Sequence, residues 1–223
     1  MEFVVRQATT EDWDFAQIIC DEMESSAHIR GTGIAKRSPE YIKEKMQDGK
    51  AVIAFSENGE WAGFCYIETW TGEFVANSGL IVNPEFRKYG LARRIKHAVF
   101  NLSREKYPSA KIFGLTTGLA VMKINSELGY FPVTYSELTQ DENFWNGCKS
   151  CVNYSILMSK ERKNCLCTAM LYKPKHKALE QFSNQKGETR ENKNLEEEII
   201  DKSSDFNNTK KSQKYEKESS FSL

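Results

Sequence analysis

The sequence predicts an α/β domain of the α+β kind, a mixed and mostly antiparallel seven-stranded sheet with helices on both faces. Three observations predict it. Apolar residues follow a strand period and a helix period by turns over the first 174 positions, in the order βααβββαβαββ. Asn58-Gly59 sits between two strand-like runs, a strong hairpin signal. After Pro174 the composition changes to Lys, Glu, Asn, Ser and Gln with scattered apolar residues, which cannot bury enough surface to offset the entropy of ordering a backbone. The expected organisation is therefore a domain over 1–174 and a charged, disordered or loosely helical tail over 175–223, with one short helix at 195–200.

The elements follow in order. Phe3-Val4-Val5-Arg6-Gln7-Ala8 reads as a strand, closed by Thr9 as a helix cap with Asp12 three residues on. A helix over about 11–23 carries Trp13, Ala16, Ile19, Cys20 and Met23 along one face, and 25–38 reads as a polar loop or broken helix. Ser38-Pro39-Glu40 opens a second helix with Pro in its first turn, and Gly49 ends it. Runs at 51–55, 62–68 and 75–82 form an antiparallel meander, with the second turn at Thr71-Gly72. A long helix over about 91–106 has the stripe Leu91, Ile95, Val99 and Leu102. A strand at 111–117, a helix at 119–128 and strands near 132–137 and 165–171 complete the sheet.

The 223 residues carry 31 basic and 31 acidic side chains, a balance that argues against a nucleic-acid binder. No apolar run approaches the roughly 20 residues that span a bilayer, and the N-terminus lacks a signal-peptide pattern. The expected partner is a small molecule, and the expected compartment is the cytoplasm, where cysteines stay reduced. The oligomeric state is not fixed by the sequence, and a homodimer stays open.

The stretch Leu80-Ile81-Val82-Asn83-Pro84-Glu85-Phe86-Arg87-Lys88-Tyr89-Gly90-Leu91-Ala92 is the most informative. A strand ends, Pro84 breaks it, and a glycine-containing turn opens onto a helix. Such a turn gathers unpaired backbone N–H groups and the positive end of a helix dipole at one point, where a pyrophosphate fits. Arg87 and Lys88 are expected to add charge at its rim. The segment resembles the coenzyme A motif of the GCN5-related N-acetyltransferase superfamily, Arg/Gln-x-x-Gly-x-Gly/Ala, here Arg87-x-x-Gly90-x-Ala92. The opening Val5-Arg6-Gln7-Ala8-Thr9-x-Glu11-Asp12 and the closing Asn125-Ser126-Glu127-Leu128-Gly129-Tyr130 are similar to the superfamily in the same order.

The resemblance implies acyl transfer from acetyl-CoA or succinyl-CoA to a primary amine. It implies a splay between the fourth and fifth strands, where Leu80, Ile81 and Val82 hold the pantetheine arm through their backbone. Residues Arg87, Lys88, Tyr89, Gly90, Leu91 and Ala92 would take the pyrophosphate. The oxyanion would meet backbone N–H groups around Ile81. Glu68, ending the third strand, is the first choice of base, against an ion-paired strand carboxylate as the alternative. Asn77 could orient substrate or lie on a solvated strand face. Where many members carry a tyrosine as acid, four residues before the glycine that ends the helix, this sequence has Asn125. Asn125 can hydrogen-bond the coenzyme but cannot donate a proton as a phenol does.

On the acceptor side, Arg30, Lys36 and Arg37 surround two glycines and suit a carboxylate-bearing substrate. Together with 118–130 and the cysteine cluster, this loop is similar to a bacterial subgroup associated with arginine biosynthesis, which implies an amino acid such as glutamate or ornithine as acceptor. Cys148-x-x-Cys151 and Cys165-x-Cys167 are candidate ligands for a structural zinc that would staple the insert 139–163 to the last strand. Unpaired buried thiols and redox chemistry are the alternatives. Two other functions stay open: acylation of a protein or polyamine, and a non-catalytic coenzyme-binding or zinc-bearing interaction module.

Overall fold

The computed structural model describes residues 1–29, 31 and 33–174. The expected tail, with its helix at 195–200, and the candidate Arg30 lie outside the described residues. Strands β1 (Phe3–Gln7), β2 (Ala51–Ser56), β3 (Trp61–Thr69), β4 (Phe74–Val82), β5 (Lys111–Thr116), β6 (Phe131–Val133) and β7 (Thr168–Tyr172) form one sheet in the order β1-β2-β3-β4-β5-β7-β6. Only β4 and β5 pair in parallel; the other five pairings are antiparallel. The sheet is thus the mixed, mostly antiparallel one expected.

Helices α1 (Ala16–Ile29) and α2 (Pro39–Gln47) cover one face, α3 (Leu91–Lys106) and α4 (Leu119–Glu127) the other. Side chains of a strand alternate between faces. On β3, Phe64 and Tyr66 therefore pack with Ile19, Met23, Ile42 and Met46, while Cys65 and Ile67 pack with Leu91, Ile95 and Val99. Burial on both sides explains why β3 reads as a continuous apolar run.

The local signals act as anticipated at most element ends. Thr9 and Asp12 form a reciprocal capping box, and Ser38 caps α2 with Pro39 in its first turn. The boundaries of three elements differ from expectation. The first helix opens as a 3-10 turn (Thr10–Phe15) and α1 then continues to Ile29, past the expected end at Met23. Its added turn is held from outside: Arg87 Nη2 donates to Glu22 Oε1 at 2.9 Å and to Ser26 Oγ at 2.7 Å. The sixth strand stops at Val133, and β7 begins at Thr168, after both nearby cysteines.

The insert between β6 and β7 folds into two short helices, α5 (Glu142–Gly147) and α6 (Tyr154–Ser159). It builds a third core on the face of α1 and α2, where Tyr135, Leu138, Trp145 and Leu157 meet Phe74, Phe113 and Leu171. Trp145 is buried and its indole N–H donates to Thr139 O at 3.1 Å. The insert also reaches the loop before α2, where Lys36 N–H donates to Ser150 Oγ at 3.0 Å.

Candidate active site

After β4 a single 3-10 turn (Pro84–Phe86) leads into the segment before α3. Lys88 has φ +70° and Gly90, the residue preceding α3, has φ +74°. Two left-handed residues one apart turn successive amides inward as an anion-binding nest. The N–H groups of residues 88–92 have no acceptor among the described residues, because the first helical bonds begin with Arg93 and Arg94, both donating to Gly90 O. A Cβ at Gly90 would meet nothing within 4 Å, so the space beside this residue is open. Arg87 is placed differently from the expectation of a free rim charge. Its guanidinium is committed to Val82 O at 3.2 Å and to α1, so it anchors the turn to that helix.

The expected splay is present. β4 and β5 pair only from Phe74↔Lys111 to Ala76↔Phe113, although β4 runs on to Val82 and β5 to Thr116. From Asn77 onward the β5-facing edge of β4 has no strand partner among the described residues. Within that edge, Phe64 opposes Ile81 while Tyr66 opposes Ser78, so Gly79 and Leu80 together stand against Cys65 in a bulge. Bulges recur beside active sites because they re-aim backbone groups. Gly79 has φ +65°, and a Cβ there would lie 2.5 Å from Tyr66 Cε1 and 2.8 Å from Met23 Cε. Gly79→Ala is expected to cost about 2–4 kcal/mol, from left-handed strain and overpacking together. Urea unfolding measures it, and an unchanged midpoint would contradict the bulge.

On the face of α1 and α2, Glu68 stands at the level of the splay's apex, opposite Ala76. Its side chain is 14% exposed; Oε1 is 3.1 Å from Lys45 Nζ, and Oε2 is buried without a hydrogen-bond partner. Burial pushes the carboxyl pKa up to about 7, against the Arg37 guanidinium and the Thr69 backbone N–H, which favour the ionised form. The neighbouring Lys45 ammonium favours that form as well. A carboxyl titrating near neutrality can both hold and release a proton at working pH.

Lys45 and Tyr66 were not singled out by the sequence. Lys45 is buried and lies 4.5 Å from the Tyr41 ring centroid; Tyr66 OH accepts from Arg37 Nε at 2.7 Å. The only signal for Lys45 was its place among the inward positions of α2, between Ile42 and Met46. Of the acceptor-side cations, Lys36 is exposed and paired with Glu24 at 2.6 Å, whereas Arg37 is half-buried beside Glu68 with Nη2 lacking an acceptor among the described residues. A cavity of about 140 Å³ adjoins them, lined by Cys20, Met23, Ile34 and Arg37 among others.

Asn77 requires a correction. It is 8% exposed and faces α3, not the acceptor side. Its Nδ2 donates to Ser103 Oγ at 2.8 Å, and Oδ1 accepts from Lys96 Nζ at 3.0 Å and Tyr130 OH at 2.9 Å, so its amide is consumed inside the protein. Asn125 is 1% exposed, with Oδ1 buried and unpartnered. Its Nδ2 lies 3.9 Å from where a Cβ of Gly114 would stand, at the splay's apex.

The four clustered cysteines are half-buried, and Cys148 and Cys165 pack into the third core. Burial and the neighbouring thiols push Cys148 up to about 11 and Cys167 up to about 12. Among the described residues no group of three or more His, Cys, Asp or Glu is placed to hold a metal ion. The zinc expectation at Cys148, Cys151, Cys165 and Cys167 thus finds no support. Cys165 and Cys167 precede β7, so they do not lie on a shared strand face as expected. Among the described residues no helix is long and apolar enough to cross a membrane.

The fold is similar to that of solved N-acetyltransferases, as the sequence resemblance implied. N-acetylglutamate synthase from Neisseria gonorrhoeae, solved with coenzyme A and N-acetyl-glutamate, is similar at 16% identity and TM-score 0.56, over 79% of this chain and 36% of that one. Rv2747 from Mycobacterium tuberculosis, solved with CoA, is similar at 17% identity and TM-score 0.56, over 76% of this chain and 98% of that one. Diaminobutyrate acetyltransferase EctA from Paenibacillus lautus, solved with L-2,4-diaminobutyric acid and coenzyme A, is similar at 12% identity and TM-score 0.51, over 78% and 95%. The chain therefore spans little more than a third of the Neisseria synthase. No family model and no curated protein matches the sequence.

Proposed function

We propose that residues 1–174 form an acyl-coenzyme A dependent N-acyltransferase that moves an acetyl or succinyl group to the amine of a small, carboxylate-bearing molecule such as glutamate or ornithine. The observation that carries this reading is the continuity of the unpaired amides of 88–92 with the open edge of β4. A diphosphate suits the first, and an amide-containing arm suits the second as an added strand. The neighbours solved with amino-acid ligands support the substrate class.

In this reading Leu80, Ile81 and Val82 hold the arm, and backbone N–H groups after the bulge, around Ile81, receive the oxyanion. Glu68 takes the proton of the incoming ammonium, which is otherwise protonated and unreactive at neutral pH. Arg37 presents its remaining guanidinium donor to the acceptor's carboxylate from the same face.

Thiol release from acetyl-CoA and succinyl-CoA across a panel of amino acids, polyamines and peptides tests the reading. Turnover is expected with acidic or ornithine-like amino acids. Arg37→Ala should raise the acceptor KM by about tenfold or more, with little change in the donor KM. Coenzyme A binding without turnover on any acceptor would instead favour a non-catalytic module.

A further inference from the structure

Lys96 is 2% exposed on the second turn of α3, under β3 and β4. Its ammonium donates to Asn77 Oδ1 at 3.0 Å and lies 5.1 Å from the Tyr130 ring centroid. The groups that face it are all neutral: the Cys65 thiol from β3, the Asn77 amide from β4, the Ser103 hydroxyl from α3 and the Tyr130 phenol from the segment after α4. None of the ion pairs among the described residues includes it. A buried cation without a counter-charge is costly, and an apolar side chain would fill the same place at no such cost. Burial accordingly lowers its pKa to about 8.

The position of this cation relates it to the transfer step. Asn77 is the first β4 residue beyond the last β5 pairing, so the apex of the splay lies on it and on Gly114. The unpartnered Asn125 Oδ1 belongs to the same small region, bounded by Asn77 O and Asn125 Nδ2. An arm running from the amides of 88–92 along the open edge of β4 brings its terminal sulfur toward that apex. Glu68 stands at the same level on the opposite face of the sheet.

Resting on the acyltransferase reading, we propose that Lys96, held by Asn77 and Tyr130, supplies the positive charge that receives the departing coenzyme A thiolate. Glu68 passes the first ammonium proton to solvent, the amine nitrogen forms its bond to the thioester carbon, its second proton leaves to the freed Glu68 carboxylate, and the carbon–sulfur bond breaks with its electron pair remaining on sulfur. The thiolate is then the counter-charge that the fold itself lacks, and its departure needs no proton from the position of Asn125. A charge fixed in a water-poor site before the reaction acts without reorganisation.

The test titrates the thiol of bound coenzyme A by thiolate absorbance, in the wild type and in Lys96→Met, Lys96→Gln and Lys96→Arg. In the wild type the bound thiol is expected to ionise at least one pH unit below free coenzyme A. Lys96→Met and Lys96→Gln should abolish that shift and lower kcat on the order of a hundredfold, with the Kd for acetyl-CoA little changed. Lys96→Arg should keep much of both. The melting temperature of Lys96→Met should hold or rise, because Asn77 Oδ1 keeps its bond from Tyr130; a merely structural lysine would lower it. Wild-type and Lys96→Met thiols that titrate alike would overturn the proposal while leaving the acyltransferase reading in place. Wild-type protein that neither binds coenzyme A nor releases thiol would remove both.

Discussion

Glu68→Gln lowers kcat by about two to four orders of magnitude, the range over which a positioned base contributes. The isosteric amide keeps the volume beside Lys45 and Arg37 but cannot accept the proton of an ammonium. In the wild type, kcat/KM for the acceptor falls as pH drops through about 7, because the ionised carboxylate is the active form. The variant loses that limb. The sign for stability is the reverse. A carboxyl whose pKa is raised on folding binds its proton more tightly in the folded state, so the wild type gives up stability as pH climbs from the ordinary carboxylate range to about 7. Glu68→Gln should flatten that decline. A pH–rate profile that keeps its acid limb in the variant would assign the base elsewhere.

Gly90→Val raises the Kd for acyl-CoA by about tenfold to a hundredfold, which corresponds to about 1.4–2.8 kcal/mol. Two effects combine. A β-branched residue at φ +74° is strained by at least the roughly 1–2 kcal/mol of any left-handed L-residue, and the turn relaxes away from the nest. The added methyl groups also project into the open space beside Gly90, at the turn proposed to take the diphosphate. The acceptor KM should change little, since Arg37 and Glu68 lie on another part of the sheet. Calorimetric titration with coenzyme A measures the effect, and an unchanged Kd would place the diphosphate away from this turn.

The turn proposed to take the donor was legible in the sequence because it is local chemistry. A strand end, Pro84, a glycine and an amphipathic helix within one short stretch suffice to place unpaired amides at a helix N-terminus. The insert was not legible as helices, because α5 and α6 are six residues each, too short for a helical period to emerge. The side of the sheet taken by Asn77 was not legible either. Both faces of β4 are covered, so apolar residues occur on both and alternation cannot assign a polar one.

The sequence by itself determined the order of the seven strands and the first four helices, the hairpin at Asn58-Gly59, the caps of α2 and the glycine-containing turn before α3, because each depends on residues within a few positions of one another. Only the tertiary structure decided the chemistry of the site. It set Lys45 and Arg37 beside Glu68, spent Arg87 on α1, drew Asn77 into the core and left Lys96 buried without a counter-charge. Those properties come from burial and from partners far away in the chain. The free energy of a charge depends on the solvent and the charges that surround it, and spacing along a sequence records neither.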